Sequence, residues 1–263
     1  MPNYQPVTVA QHAEKRWQRY TNYAHAAGDA IAPLVVQELQ KAILSLPIAF
    51  VPQGERYLLV AVLGLADGKN LFIAPDGRWL AGYTPAALRG YPFALANTED
   101  GQQVLCVDAD SPLVGTDGEA FFNADGTPSQ PVSDVLNFLS QVANNRAATE
   151  RLCDLLQQHQ IIQPWPIKVQ SETGEYAVAG LYRIDEAALN QLPAEAFIEL
   201  RDNGALVLAY CQLLSMQHLP MLGNLAQLHT QAVQQATPST TPQGDLDLEF
   251  LNNSGTISFG NLH

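Results

Sequence analysis

Basic residues are scarce in this chain. Thirteen Lys and Arg stand against 26 Asp and Glu, a formal net charge of −13. No Lys or Arg falls between Arg89 and Arg146, where eight acids do, from Glu99 to Asp134, and none follows Arg201. Such a field repels a nucleic-acid backbone and an anionic lipid surface. Charged residues of both signs make up only 15% of the chain, against a usual ~25%. Cysteine is also rare. Cys106, Cys153 and Cys211 are far apart and each sits among apolar neighbours, so they read as small core residues rather than a disulfide framework. The longest apolar runs, such as YLLVAVLGLA, fall short of the ~20 residues a membrane helix needs. The opening residues lack the apolar stretch of a signal peptide, so the expected location is cytoplasmic.

Signatures of chemistry are missing as well. There is no P-loop, no G-x-G-x-x-G, no G-x-S-x-G, no H-E-x-x-H and no C-x-x-C. The six histidines show no ligand spacing. The acidic loop DADSPLVGTDGEAFFNADG fails as a calcium loop. With Asp108 at position 1 and Asp110 at position 3, Pro112 and Leu113 occupy positions 5 and 6, where a carboxylate and a glycine belong. The sequence therefore predicts no catalytic residue, no metal and no cofactor.

What is present is an apolar fraction of 47%, enough for a substantial core. The spacing of Ile31, Leu34, Val35, Leu39 and Ile43 predicts a helix over 30–44, and AEKRWQRY suggests a short one before it. Apolar runs at 47–51, 57–65 and 70–74, separated by QGER and by Asp-Gly turns, predict three antiparallel strands with the middle one central. FALA and QVLCVDA read as a further hairpin. Thr127, Pro128 and Gln130 resemble a capping box opening a long helix to about His159. IKVQS and EYAVAGLYRI form another hairpin around Glu172-Thr173-Gly174. DEAALNQL and AEAFIELRDN read as helices, the second stopped by Gly204. ALVLAYCQLLSM fits a strand or a buried helix, and LPMLGNLAQLHTQAVQQ a helix.

These elements predict an α+β fold, a mainly antiparallel sheet covered by helices. Residues 1–27 read as irregular, and 28–236 as the domain, in one piece or as two packed halves meeting near 128–160. Residues 237–263 read as a Pro/Ser/Thr linker and a short β-like tail, LDLEFL-NNSG-TISF, able to dock on its own sheet or on a partner.

One stretch stands out, DGRWLAGYTPAALRGYPF at 76–93. Thr84 is a plausible N-cap, Pro85 the first helical residue and Gly90 the C′ residue of a short helix. Tyr91 precedes a proline and should be extended. Arg78 and Arg89 could clamp a carboxylate or phosphate between Trp79, Tyr83 and Tyr91, with Asp108 nearby. Alternatively the rings pack the helix on the sheet and the arginines are spent on carbonyls, Asp76 and Asp108.

PIAFV, VAVLGL, NLFIAPDGRWLAGYTPAALRGYPFAL and VLCVDADSPL, followed by ALNQLPAEAFIELRDNGALVLAYCQLLSMQHLPML, keep an order and spacing that resemble the SapC family of bacterial proteins, from about Trp17 to about Gln231. The resemblance is to the SapC linked with surface-layer genes, not to the peptide-transport permease of that name. It implies an accessory role beside surface-layer, TonB-dependent uptake or halogenase-like systems, and it carries no catalytic residues. Together these observations predict a non-catalytic protein acting on a protein or peptide partner. The alternatives are a small-molecule enzyme or sensor built on the 76–93 cluster, and a structural surface-layer component.

Overall fold

The computed structural model describes residues 2–98, 100–171 and 174–236. The predicted linker and tail, and the turn residues Glu172 and Thr173, lie outside them. The chain begins β1 (Tyr4–Pro6), α1 (Val9–His12), β2 (Arg16–Trp17), β3 (Ile31–Pro33), α2 (Leu39–Ala42), β4 (Ile48–Gln53) and β5 (Arg56–Val62). It continues through α3 (Ala86–Arg89), β6 (Phe93–Asn97), β7 (Gln103–Asp108), β8 (Val114–Gly115), β9 (Glu119–Ala120) and α4 (Gln130–Gln158). The remainder is β10 (Ile162–Pro164), β11 (Ile167–Ser171), β12 (Gly174–Val178), β13 (Tyr182–Ile184), α5 (Glu186–Asn190), α6 (Ala194–Asn203), α7 (Ala205–Ser215) and α8 (Leu219–Ala236).

The fold is α+β, with antiparallel pairing throughout the described strands. The main sheet runs β10-β13-β4-β5-β3, and two three-stranded sheets run β1-β7-β6 and β8-β2-β9. β5 is interior because RYLLVAV is apolar on both faces; Leu59, Val60, Ala61 and Val62 are all buried. They join Ile48, Ala49 and Phe50 of β4 in a large core that α4 and α7 cover. A second, smaller core collects Trp17, Phe93, Leu105, Val107, Phe121 and Val132 between the two small sheets and the start of α4.

Several local expectations are corrected. Residues 30–44 are not one helix. Ile31–Pro33 pairs with β5 as an edge strand, where a proline's missing N–H costs no ladder bond, and only Leu39–Ala42 is α-helical. AEKRWQRY is not helical either, since Arg16 and Trp17 form β2 between β8 and β9. Residues 70–74 do not form a strand. The Asn70 side chain accepts from Phe72 N–H at 3.0 Å and donates to Ala26 O at 3.1 Å, bending the chain so that only an Ile73–Trp79 bridge remains.

The cap of α4 is Ser129, which accepts from Val132 N–H at 3.5 Å and donates to Ala120 O at 2.6 Å, whereas Thr127 closes a turn on Asp125. EYAVAGLYRI splits at Gly180 (φ 82°), its halves lying in different sheets. ALVLAYCQLLSM is helical. Gly204, at φ 83°, sits between α6 and α7 in the left-handed conformation that glycine adopts without steric cost.

Candidate functional site

The 76–93 stretch folds as a corner tied to a buried carboxylate. Glu38 is 5% exposed. Its Oε1 accepts from Ala86 N–H at 2.6 Å and from Tyr83 OH at 2.7 Å, and its Oε2 from Val35 N–H at 3.0 Å. Glu38 thus caps α3 from another part of the chain, in place of the expected Thr84, whose hydroxyl instead reaches Tyr23 OH at 3.4 Å. Burial and the adjacent Glu38 charge push the Tyr83 phenol well above its ordinary pKa, so it stays a hydrogen-bond donor.

Around this carboxylate the structure brings Trp79, Tyr83 and Arg89 together. Trp79 Nε1 donates to Tyr83 O at 2.9 Å and its ring stacks on Phe72. Arg89 donates to Tyr83 OH at 3.2 Å and its guanidinium lies over the Tyr83 and Phe138 rings at 5.7 and 5.2 Å. Arg78 is placed apart. It is exposed, and its Nε donates to Asp76 Oδ2 at 2.6 Å, which holds the Asp76 carboxyl below its usual range.

Tyr91 stacks flat on His25 at 4.2 Å and 4° and joins Pro92 through a cis peptide bond. Asp108 ends β7, where its Oδ1 accepts from Asn3 N–H at 2.9 Å and Asp110 N–H at 3.3 Å; it tethers β1 rather than an arginine.

Sequence reasoning missed the partners of this corner. Tyr20, Tyr23 and His25 continue the ring cluster, with Tyr20 5.2 Å from Tyr23 and 5.3 Å from His25, and Tyr23 5.6 Å from Trp79. Burial, reinforced by Tyr23, pushes the Tyr20 phenol up to about 12. Burial also lowers the His25 pKa against the opposing pull of the Leu88 carbonyl and Asp29. The signals were RYTNYAH and the single acid inside IAPLVVQELQKAIL. Neither forms a motif, so only the fold reveals them.

The three cysteines are free and buried, and burial pushes the Cys153 thiol up to about 12, far from thiolate chemistry. Among the described residues no group of three or more His, Cys, Asp or Glu is placed to hold a metal.

A larger concavity lies elsewhere, a groove of about 850 Å³ bounded by α2, α4, α6 and α7. Its apolar lining includes Val36, Leu152, Leu155 and Val207. Its rim carries side-chain amides, including Gln37, Gln40 and Gln158, together with Arg151 and Glu199. Glu199 meets His159 at 3.1 Å, while Arg151 makes no ion pair among the described residues. A smaller cavity of about 380 Å³ is lined by Ala24, Lys69, Ile73, Pro75 and His229 among others. Neither cavity is lined by Arg78 or Arg89.

The architecture is that of an α+β protein built around antiparallel sheets. Residues 7–222 match the SapC family, and the chain belongs to it. No curated protein and no solved structure matches the chain.

Proposed function

We propose that this chain is a non-catalytic binding protein that receives an apolar segment of a protein or peptide partner in the groove between α2, α4, α6 and α7. The groove itself carries the reading. It offers an apolar lining, a rim of amides suited to peptide N–H and C=O groups, and Arg151, a cation with no ion pair among the described residues. This keeps the accessory role beside surface-layer, TonB-dependent uptake or halogenase-like systems that the family resemblance implies, and the cytoplasmic location expected from the opening residues. The small-molecule reading at Arg78, Trp79, Tyr83 and Arg89 has less behind it. Arg78 is held by Asp76, and Arg89 is spent on Tyr83 and Phe138.

The test is a peptide-display selection on the full chain, counter-screened with Gln40→Trp, which fills the groove, and Arg151→Glu, which inverts its cation. Selected peptides are expected to lose at least about tenfold in affinity for both variants, by calorimetric titration. Peptides that bind both variants as tightly as the wild type, or that lose affinity only when Arg78 or Arg89 is replaced, move the site away from the groove.

A further inference from the structure

The smaller cavity, of about 380 Å³, is enclosed by three segments distant in sequence. One wall is the turn at 24–27 and another is the bend at 69–77. Main-chain bonds join the two, from Tyr23 N–H to Gly77 O and from Asn70 N–H to Ala27 O, both at 2.8 Å. The buried Asn70 side chain fixes the bend between them through Phe72 N–H and Ala26 O. The third wall is α8, where His229 Nε2 donates to Leu71 O at 3.0 Å and holds the helix against the bend. Gly77 is the residue its place requires. Its φ is 84°, and a Cβ there would lie 2.9 Å from the Asn22 side chain. These bonds set the walls without any help from a ligand, which lowers the cost of binding one.

The charges around the cavity do not cancel. Ala24, Ala27, Ile73 and Pro75 give it an apolar lining. Asp76, the acid in that lining, is already matched, since Oδ1 accepts from Arg78 N–H at 3.1 Å and Oδ2 from Arg78 Nε at 2.6 Å. Lys69 is not matched. It is one of only four lysines in the chain, and it makes no ion pair among the described residues. A molecule of net charge −13 thus keeps an unpaired cation at the edge of an apolar cavity, a sign opposite to that of the whole.

We propose that this cavity binds a small aliphatic carboxylate, its head group on Lys69 and its body against Ile73 and Pro75. The chemistry selects that class. The Lys69 ammonium presents three donors and calls for an anionic acceptor. A phosphate draws on several cations or on a row of free backbone N–H groups. Here the N–H groups of Ala27, Asn70 and Gly77 are all bonded within the walls. The volume lies near the lower end of the ~300–1,000 Å³ usual for ligand sites, which suits a body of a few carbons rather than a long chain. No residue lines both this cavity and the groove between α2, α4, α6 and α7, so the inference stands apart from the peptide-binding reading.

Titration of the full chain with isocaproate, followed by proton–nitrogen correlation spectra, tests it. Shifts are expected at the amides of Lys69, Asn70 and Gly77, saturating with a dissociation constant of about 1 mM, ordinary for so few heavy atoms. Isocaproamide, the neutral isostere, is expected to bind at least about tenfold more weakly. Lys69→Met keeps the apolar stem at an exposed position. It is expected to bring the acid down to the level of the amide and to leave the amide unaffected, while Lys69→Arg retains most of the affinity for the acid. Damage to the fold would weaken both probes alike, so the ratio between them reads charge recognition. Equal affinity for acid and amide overturns the inference. So does an affinity for the acid that Lys69→Met leaves unchanged, a set of shifts that misses residues 69–77, or a titration with no saturation by about 20 mM.

Discussion

At Glu38, one carboxylate gathers three donors from different parts of the chain: the Val35 N–H, the Tyr83 hydroxyl and the Ala86 N–H that opens α3. Removing a buried acceptor leaves its donors unmatched, and bonds to a charged group are the stronger kind. Glu38→Ala is therefore expected to lower unfolding free energy by about 2–4 kcal/mol in urea titration, and Glu38→Gln by less, since an amide still accepts through one oxygen. Equal losses from both would mean that packing, not acceptance, is what Glu38 supplies. His25 makes a different prediction. Burial lowers its pKa in the fold, and Asp29 and the Leu88 carbonyl only partly oppose it. In the pH window between the folded and unfolded values the unfolded chain binds more protons. The stability from neutral His25 is thus complete above the ordinary imidazole range and falls as pH drops through it. Burial shifts His12 in the same direction. His25→Phe, which keeps a ring against Tyr91, is expected to shrink the loss of Tm between about pH 7.5 and about pH 5.5. An unchanged slope would assign that loss to other groups.

Among the helices, α7 is joined to the sheet by polar bonds inside an apolar interface. Gln212 Oε1 accepts from Ile184 N–H of β13 at 2.8 Å and its Nε2 donates to Ile48 O of β4 at 3.0 Å. Ser215 accepts from Ile48 N–H at 3.0 Å. Gln212→Leu keeps the volume and strands two buried backbone groups, so a loss of about 2–4 kcal/mol with an unchanged denaturant slope is expected. A loss below about 0.5 kcal/mol would show that the two strands pair well enough alone. The same helix shows what the sequence could convey. β4, β5, β6, β7, α4 and α6 were legible because apolar period and turn residues act locally. Ile31–Pro33 and Asn70–Ala74 were not, because an edge-strand proline and a side chain replacing ladder bonds are decided by neighbours distant in sequence. Arg78, Trp79, Tyr83 and Arg89 were picked out by composition. Their separation into an exposed Asp76 pair and a Glu38-centred cluster required Glu38, which no motif announces.

For the molecule as a whole, charge decides how copies meet. A net charge of −13 generates a repulsion between chains that reaches beyond any contact and is screened over about 8–10 Å at physiological salt. If association ran through surface pairs such as Arg19–Glu119, added salt would weaken it. Where no such pair is made, salt only removes the repulsion and leaves apolar burial almost untouched. The second virial coefficient of the chain in static light scattering is therefore expected to be positive at about 50 mM sodium chloride and to fall as the salt rises to about 300 mM. A coefficient that rises with salt would place attractive ion pairs between copies, at a face where both signs are present.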